Sequence, residues 1–109
     1  MKTMILLLLM VMLALVMGSY RGRYAYDMEG SVTWNPASLS DAAGETSSGI
    51  TVSGAVLGDY VLVSAPYDLQ DCTVNGYVQA AGLVEIRLQN ESTGTRDLAS
   101  GVWKVKVLK

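Results

Sequence analysis

Hydrophobic and polar positions change their spacing at about residue 30. Every side chain from Met4 to Met17 is apolar, which is typical of a hydrophobic helix. From Gly30 to Lys109, apolar residues occur in short runs or at alternate positions, and turn residues separate them. The pattern predicts one N-terminal hydrophobic helix followed by an all-β domain.

The second region contains six segments with strand character. Residues 84–89 alternate between apolar and polar side chains, which predicts a strand with one buried face. Residues 60–64 are nearly all apolar, which predicts a strand covered on both faces. The predicted strands span residues 31–34, 49–54, 60–64, 72–79, 84–89 and 102–107.

The segments between these strands carry turn residues. Residues 36–49 are polar and lack apolar periodicity, so we interpret them as an exposed loop. The short turn 80–82 contains glycine and predicts a hairpin between the strands that flank it. Gly54 and Gly58 are expected to occupy turn positions with positive φ.

The last predicted strand places Trp103, Val105 and Val107 inward and Lys104 and Lys106 outward. The two lysines would protect an edge strand against uncontrolled pairing. Residues 30–109 therefore predict a small antiparallel β-sandwich of six to seven strands, jelly-roll or Ig-like. Because such a small domain has little stability to spare, we expect a homo-oligomer.

The N-terminal segment has three interpretations. Lys2, the apolar run and Gly18 have the layout of a secretory signal peptide cleaved before Ser19. Extended to residues 3–19, the run is also just long enough for a retained membrane anchor. The flanking aromatic residues Tyr20, Tyr24 and Tyr26 would then lie at the membrane interface, and Arg21 and Arg23 would lie at the lipid headgroups. The third interpretation is a hydrophobic helix that is buried among neighbouring proteins in an assembly. The predicted division is 1–18 for the signal or anchor, 19–29 for a linker and 30–109 for the β-domain.

The amino-acid composition limits the catalytic and binding chemistry that the chain can carry. The chain has 109 residues, a formal net charge of −2, no histidine and one cysteine. The absence of histidine excludes His-dependent nucleophiles and zinc sites that need imidazole, and the single cysteine excludes an internal disulfide. The negative net charge gives no electrostatic basis for nucleic-acid binding. We expect the protein to have no enzymatic activity, no cofactor, no bound metal and no nucleic-acid partner.

Three features of the sequence are candidate sites. Asp59, Asp68 and Asp71 could contribute to a calcium site, but local turn formation explains them better. Cys72 is expected to face the core as a small hydrophobic residue. Asn90-Glu91-Ser92 matches a glycosylation acceptor, which a turn would make accessible.

Residues 51–66, 77–90 and 97–107 together resemble a small β-domain of uncharacterised bacteriophage virion proteins associated with heads or tails. The resemblance lies in a Gly-Ala-x-Leu-Gly-Asp segment before a strand, an Ala-Ala hairpin, and a Ser-Gly-x-Trp element opening the last strand. It implies a fold and a structural setting, with no enzymatic role. The hydrophobic N-terminal segment is a departure that argues against simple capsid decoration.

The expected function is that of a non-enzymatic structural or assembly protein. It would be associated with a virion, or with a membrane through residues 4–18, and would contact other structural proteins of the same assembly. The alternative is an exported adhesion or carbohydrate-binding β-domain, secreted or periplasmic after cleavage near Gly18.

Overall fold

The computed structural model describes residues 28–109. The predicted N-terminal helix and most of the linker lie outside these residues. The described part is all-β, as predicted, and it contains no helix long and apolar enough to span a membrane. Its seven strands are β1 (Met28–Trp34), β2 (Gly44–Thr46), β3 (Ile50–Thr51), β4 (Tyr60–Ser64), β5 (Cys72–Ala80), β6 (Leu83–Asn90) and β7 (Gly101–Leu108).

The strands form two antiparallel sheets, each organised around one central strand. In the first sheet β7 lies between β1 and β4. In the second sheet β6 pairs with β5 along one side and with the short strands β2 and β3 along the other. The predicted β5–β6 hairpin is confirmed, with a register irregularity between Val78 and Ala80.

The core lies between the inward faces of β6 and β7. Their inward residues are almost completely shielded from solvent, which confirms the predicted alternation. The ring of Trp34 is tilted against Trp103, with centroids 5.2 Å apart, and Tyr67 meets Trp103 edge-on at 5.8 Å. These aromatic contacts close the core at the end where β1 finishes and β7 begins. The inward residues of the two central strands are Val84, Ile86, Leu88, Trp103, Val105 and Val107.

Glycine permits close approach where strands of different sheets meet. A Cβ on Gly76 of β5 would lie 2.6 Å from methyl groups of both Val61 and Val63 of β4. A Cβ on Gly30 of β1 would lie 2.8 Å from Ile50 of β3. The two sheets therefore approach each other at both margins, and a side chain at either glycine would push them apart.

The interpretation of residues 36–49 as an exposed loop is wrong. The segment contains β2, and it buries Leu39 and Ser47. Ser47 and Ile86 exchange backbone and side-chain hydrogen bonds: the Ser47 amide donates to the Ile86 carbonyl at 2.8 Å, and the Ile86 amide donates to Ser47 Oγ at 3.0 Å. Polar side chains can thus line a buried segment, because they satisfy the backbone groups that burial removes from water.

Three other strand predictions also need correction. β4 is covered on one face only, since Tyr60 is 73% exposed and Leu62 55% exposed. Lys104 and Lys106 do not protect an edge, because β7 is the central strand of its sheet. The prediction of a strand over 49–54 holds only for Ile50–Thr51, beyond which the chain turns.

Candidate interaction surfaces

The outer face of the first sheet carries an open groove of about 720 Å³, here called the sheet groove. It forms because outward residues of β1, β7 and β4 lie side by side in the observed register. Lys104 lies between Ser31 and Ser64 on the neighbouring strands. The other outward side chains that line it include Glu29, Leu62, Val102 and Lys106.

The sheet groove combines apolar and cationic side chains. Leu62 and Val102 are about half exposed, so their apolar surface meets solvent. The ammonium of Lys106 lies 3.8 Å from the carboxylate of Glu29, which reduces the local positive charge at that point. Lys104, which lies between Ser31 and Ser64 in the register, gives the groove a cation beside apolar surface. This combination suits contact with a surface that is itself partly acidic and partly apolar.

The outer face of the second sheet is different, because its polar side chains pair with one another. The Tyr77 hydroxyl donates a hydrogen bond to Glu85 on the adjacent strand. That bond is the main reason why the pKa of Tyr77 is raised. Arg87 donates to the Thr46 hydroxyl at 3.1 Å. These cross-strand pairs leave that face polar, so the sheet groove is the stronger candidate for a protein contact.

A second exposed surface lies at the end of the domain where β1 begins. It comprises four exposed apolar side chains from the turn before β4, the start of β4 and the end of β7. We call this surface the apolar end; its residues are Val56, Leu57, Tyr60 and Leu108. Tyr60 and Leu108 face each other in the β4–β7 register, and the turn that carries Val56 and Leu57 is tied to their neighbours Asp59 and Lys109.

Asp59 and Lys109 fix the backbone of the apolar end. The Asp59 carboxylate accepts a hydrogen bond from the Val56 amide at 3.0 Å and an ion pair from Lys109 at 3.0 Å. The Val56 hydrogen bond and then the lysine hold the pKa of Asp59 below its usual value. Lys109 also donates to the Gly54 carbonyl at 2.9 Å. Gly54 and Gly58 have φ values of +91° and +95°, as predicted, which gives the turn its shape.

The opposite end carries five of the nine acidic side chains of residues 28–109, and we call it the acidic end. It is built from the loops that follow β1, β4 and β6. Arg96, in the loop after β6, donates to the Gln70 carbonyl in the loop after β4 at 2.9 Å. The carboxylates come from separate loops and are Asp41, Asp68, Asp71, Glu91 and Asp97.

The structure does not bring together the three aspartates of the candidate calcium site. Asp59 precedes β4, whereas Asp68 and Asp71 follow it, so they lie at opposite ends of the domain. Within residues 28–109 no group of three or more acidic or cysteine side chains is placed to hold a metal ion. Asp68 accepts a hydrogen bond from the Gln70 amide at 3.4 Å, which agrees with a local role in the turn.

The predicted accessibility of Asn90 is wrong. Asn90 is the last residue of β6, and its side chain is fully buried. Its amide nitrogen donates to the carbonyls of Leu39, Ser40 and Gly94 at 2.8–3.1 Å. A glycan would replace one of the two hydrogens on this nitrogen and would not fit the fully buried position, so the residue is a structural anchor in the fold.

Cys72 occupies the predicted position in the core. It begins β5 and is buried, and burial raises the pKa of its thiol. A buried cysteine with a raised pKa carries little thiolate at neutral pH and is therefore a poor nucleophile.

Sequence reasoning did not find the two exposed surfaces. The sheet groove depends on the register of three strands that are far apart in sequence, and no local pattern encodes that register. The apolar end had one local signal, since Val56 and Leu57 lie between glycines in a turn, where polar residues are usual.

Comparison with known proteins adds no relationship: no family model, curated protein sequence or solved structure matches the chain.

Proposed function

We propose that this protein is a non-enzymatic structural module that acts through protein–protein contacts. Its β-domain, arranged as a small sandwich, is held at a membrane or within a virion by the hydrophobic N-terminal segment. The observation that carries the proposal is the sheet groove, where apolar side chains and Lys104 are exposed on a regular sheet face. The resemblance to phage structural domains supports the same setting.

An open sheet face is better suited to a protein surface than to a small molecule. Small-molecule sites enclose most of their ligand, whereas the sheet groove lies across the outside of three strands. Leu62 and Val102 supply apolar contact area, and Lys104 supplies a charge that favours an acidic partner. Other structural proteins of the same assembly, including further copies of this chain, are the proposed partners.

The test compares the native chain with two variants in the source from which the assembly is purified. Leu62→Glu places a negative charge in the sheet groove without touching the core. Thr73→Glu, exposed on β5, is the matched control. We expect the native chain and the control to co-fractionate with particles or membrane complexes, and Leu62→Glu to be depleted about tenfold. Equal incorporation of all three would contradict a contact through the groove.

Intact-mass analysis of each fraction tests the role of the N-terminal segment. A chain that retains Met4 to Met17 and travels with membranes or particles supports the proposal. A mature chain that begins at Ser19 and occurs only in the soluble fraction contradicts it and favours the exported binding domain, which glycan-binding assays would then examine.

A further inference from the structure

The apolar end combines exposure with rigidity. Leu57 is 70% exposed, in a turn where polar residues are usual. The ion pair and hydrogen bonds of Asp59 and Lys109 nevertheless hold this turn against the end of β7. The exposed apolar side chains therefore project from a fixed backbone, and the core does not require them.

The chain enters the domain at this same end. Met28, the first residue of β1, pairs with Val107. Its sulfur lies only 3.2 Å from the position a Cβ on Gly54 would occupy, which places it beside the turn. Residues 18–27 separate β1 from the apolar run of residues 4–17. Ten residues span at most about 36 Å, so the domain stays close to any surface that holds the run.

The carboxylates lie mainly at the end of the domain opposite the apolar end. The carboxylates of the acidic end lie far from the point where the chain enters, whereas near the apolar end Asp59 pairs with Lys109 and Glu29 lies 3.8 Å from Lys106. Membrane surfaces are commonly anionic and repel carboxylates. The orientation with least repulsion therefore turns the apolar end toward the membrane.

We propose that the apolar end is a membrane-contacting surface, and that Val56, Leu57, Tyr60 and Leu108 enter the interfacial layer of a lipid bilayer. A tyrosine beside aliphatic side chains suits this layer, because its ring is apolar and its hydroxyl is polar. The inference rests on the proposed function in its membrane setting, in which the N-terminal segment holds the domain at a membrane. It adds a second point of contact, which orients the domain and directs the acidic end away from the lipid.

The test measures lipid proximity at both ends of the full-length chain. Leu57→Cys and, as the matched control at the acidic end, Thr93→Cys are each made with Cys72→Ala and labelled with the fluorophore NBD. Both positions are exposed, so the label does not disturb the core. The proteins are reconstituted in phosphatidylcholine–phosphatidylglycerol vesicles, with and without doxyl-labelled phosphatidylcholine. We expect quenching at position 57 to be at least about twice that at position 93.

Each other outcome overturns the inference in a distinguishable way. If the chain floats with the vesicles but both positions are quenched equally, the anchor stands and the orientation is wrong. If the fluorescence at position 57 shifts to the blue without lipid quenching, protein covers the surface, a second copy being the first alternative. If the chain does not float with vesicles at all, the membrane setting of the proposed function is wrong as well. The proposed contact through the sheet groove is tested separately, by the incorporation of Leu62→Glu.

Discussion

The side-chain amide of Asn90 donates a hydrogen bond to the backbone carbonyl of Leu39 at 2.9 Å, joining positions 51 residues apart. The same nitrogen reaches Ser40 and Gly94, and the Asn90 oxygen accepts from the amide and hydroxyl of Ser92. One buried side chain thereby joins the loop after β1 to the loop after β6, alongside the isolated backbone bridge between Leu39 and Arg96.

Replacing Asn90 should therefore destabilise the domain strongly. We expect Asn90→Ala to lower the free energy of unfolding by about 3 kcal/mol, because several buried backbone groups lose their partners. Urea unfolding followed by tryptophan fluorescence measures this loss. Gln89→Ala is the control, since its side chain makes one exposed hydrogen bond to Ala42 and should contribute less than about 1 kcal/mol. Equal effects of the two variants would show that the Asn90 network is not a structural anchor.

A methyl group at Gly76 should disturb the margin where β4 and β5 meet. Its Cβ would lie 2.6 Å from both Val61 and Val63, so we expect Gly76→Ala to destabilise the domain by about 2 kcal/mol. The penalty should be smaller in a Val63→Ala background, because one of the opposing methyl groups is then absent. A double-mutant cycle in urea measures this coupling.

Gly94→Ala is the control for that cycle. Its Cβ would meet only the Arg96 side chain, at 3.4 Å, and we expect a change within about 0.5 kcal/mol. If Gly76→Ala were equally mild, or unaffected by Val63→Ala, the close approach of the two strands would be refuted.

The Asp59–Lys109 pair should make stability depend on pH in the acid range. The pKa of Asp59 is lowered in the folded state, so its carboxylate stabilises the fold above its unfolded pKa, and this contribution is lost as the pH falls from about 3.9 through the folded pKa. Carbon-detected NMR titration of the Asp59 carboxyl measures the lowered pKa directly.

The Asp59→Asn variant isolates this contribution. It should be less stable than the native chain at pH 7, and the difference should shrink as the pH falls through the window. Asp68→Asn is the control, because the Asp68 carboxylate makes one weak local hydrogen bond. A stability difference for Asp59→Asn that stays constant down to pH 2 would contradict the assignment.

Cys72 should react with thiol reagents only when the domain opens. Burial removes access and raises the pKa of the thiol, so alkylation at pH 8 should be at least about a hundredfold slower than in urea. Mass spectrometry after timed quenching measures the rate. Thr73→Cys, on the exposed side of β5, should in contrast react rapidly in the folded protein. Rapid native labelling of Cys72 would place it outside the core.

The sequence predicted the features that depend on local periodicity. Alternation along β6 and β7 identified the core residues because a strand presents successive side chains to opposite faces. It missed β2, since Gly44–Thr46 has no apolar alternation and becomes a strand only by pairing with β6. The burial of Asn90 was missed for a related reason: its partners are backbone carbonyls in distant loops. The sheet groove likewise depends on long-range register.

Pairing of β1 with β7 joins the first described strand to the last. Within the described residues, β1 and β4 both lack their common sheet partner until β7 has been synthesised. The first sheet cannot close early. Every strand pair of this sheet joins residues far apart in sequence, so its closure is a late folding step, whereas the β5–β6 hairpin contains local pairs and can form before it.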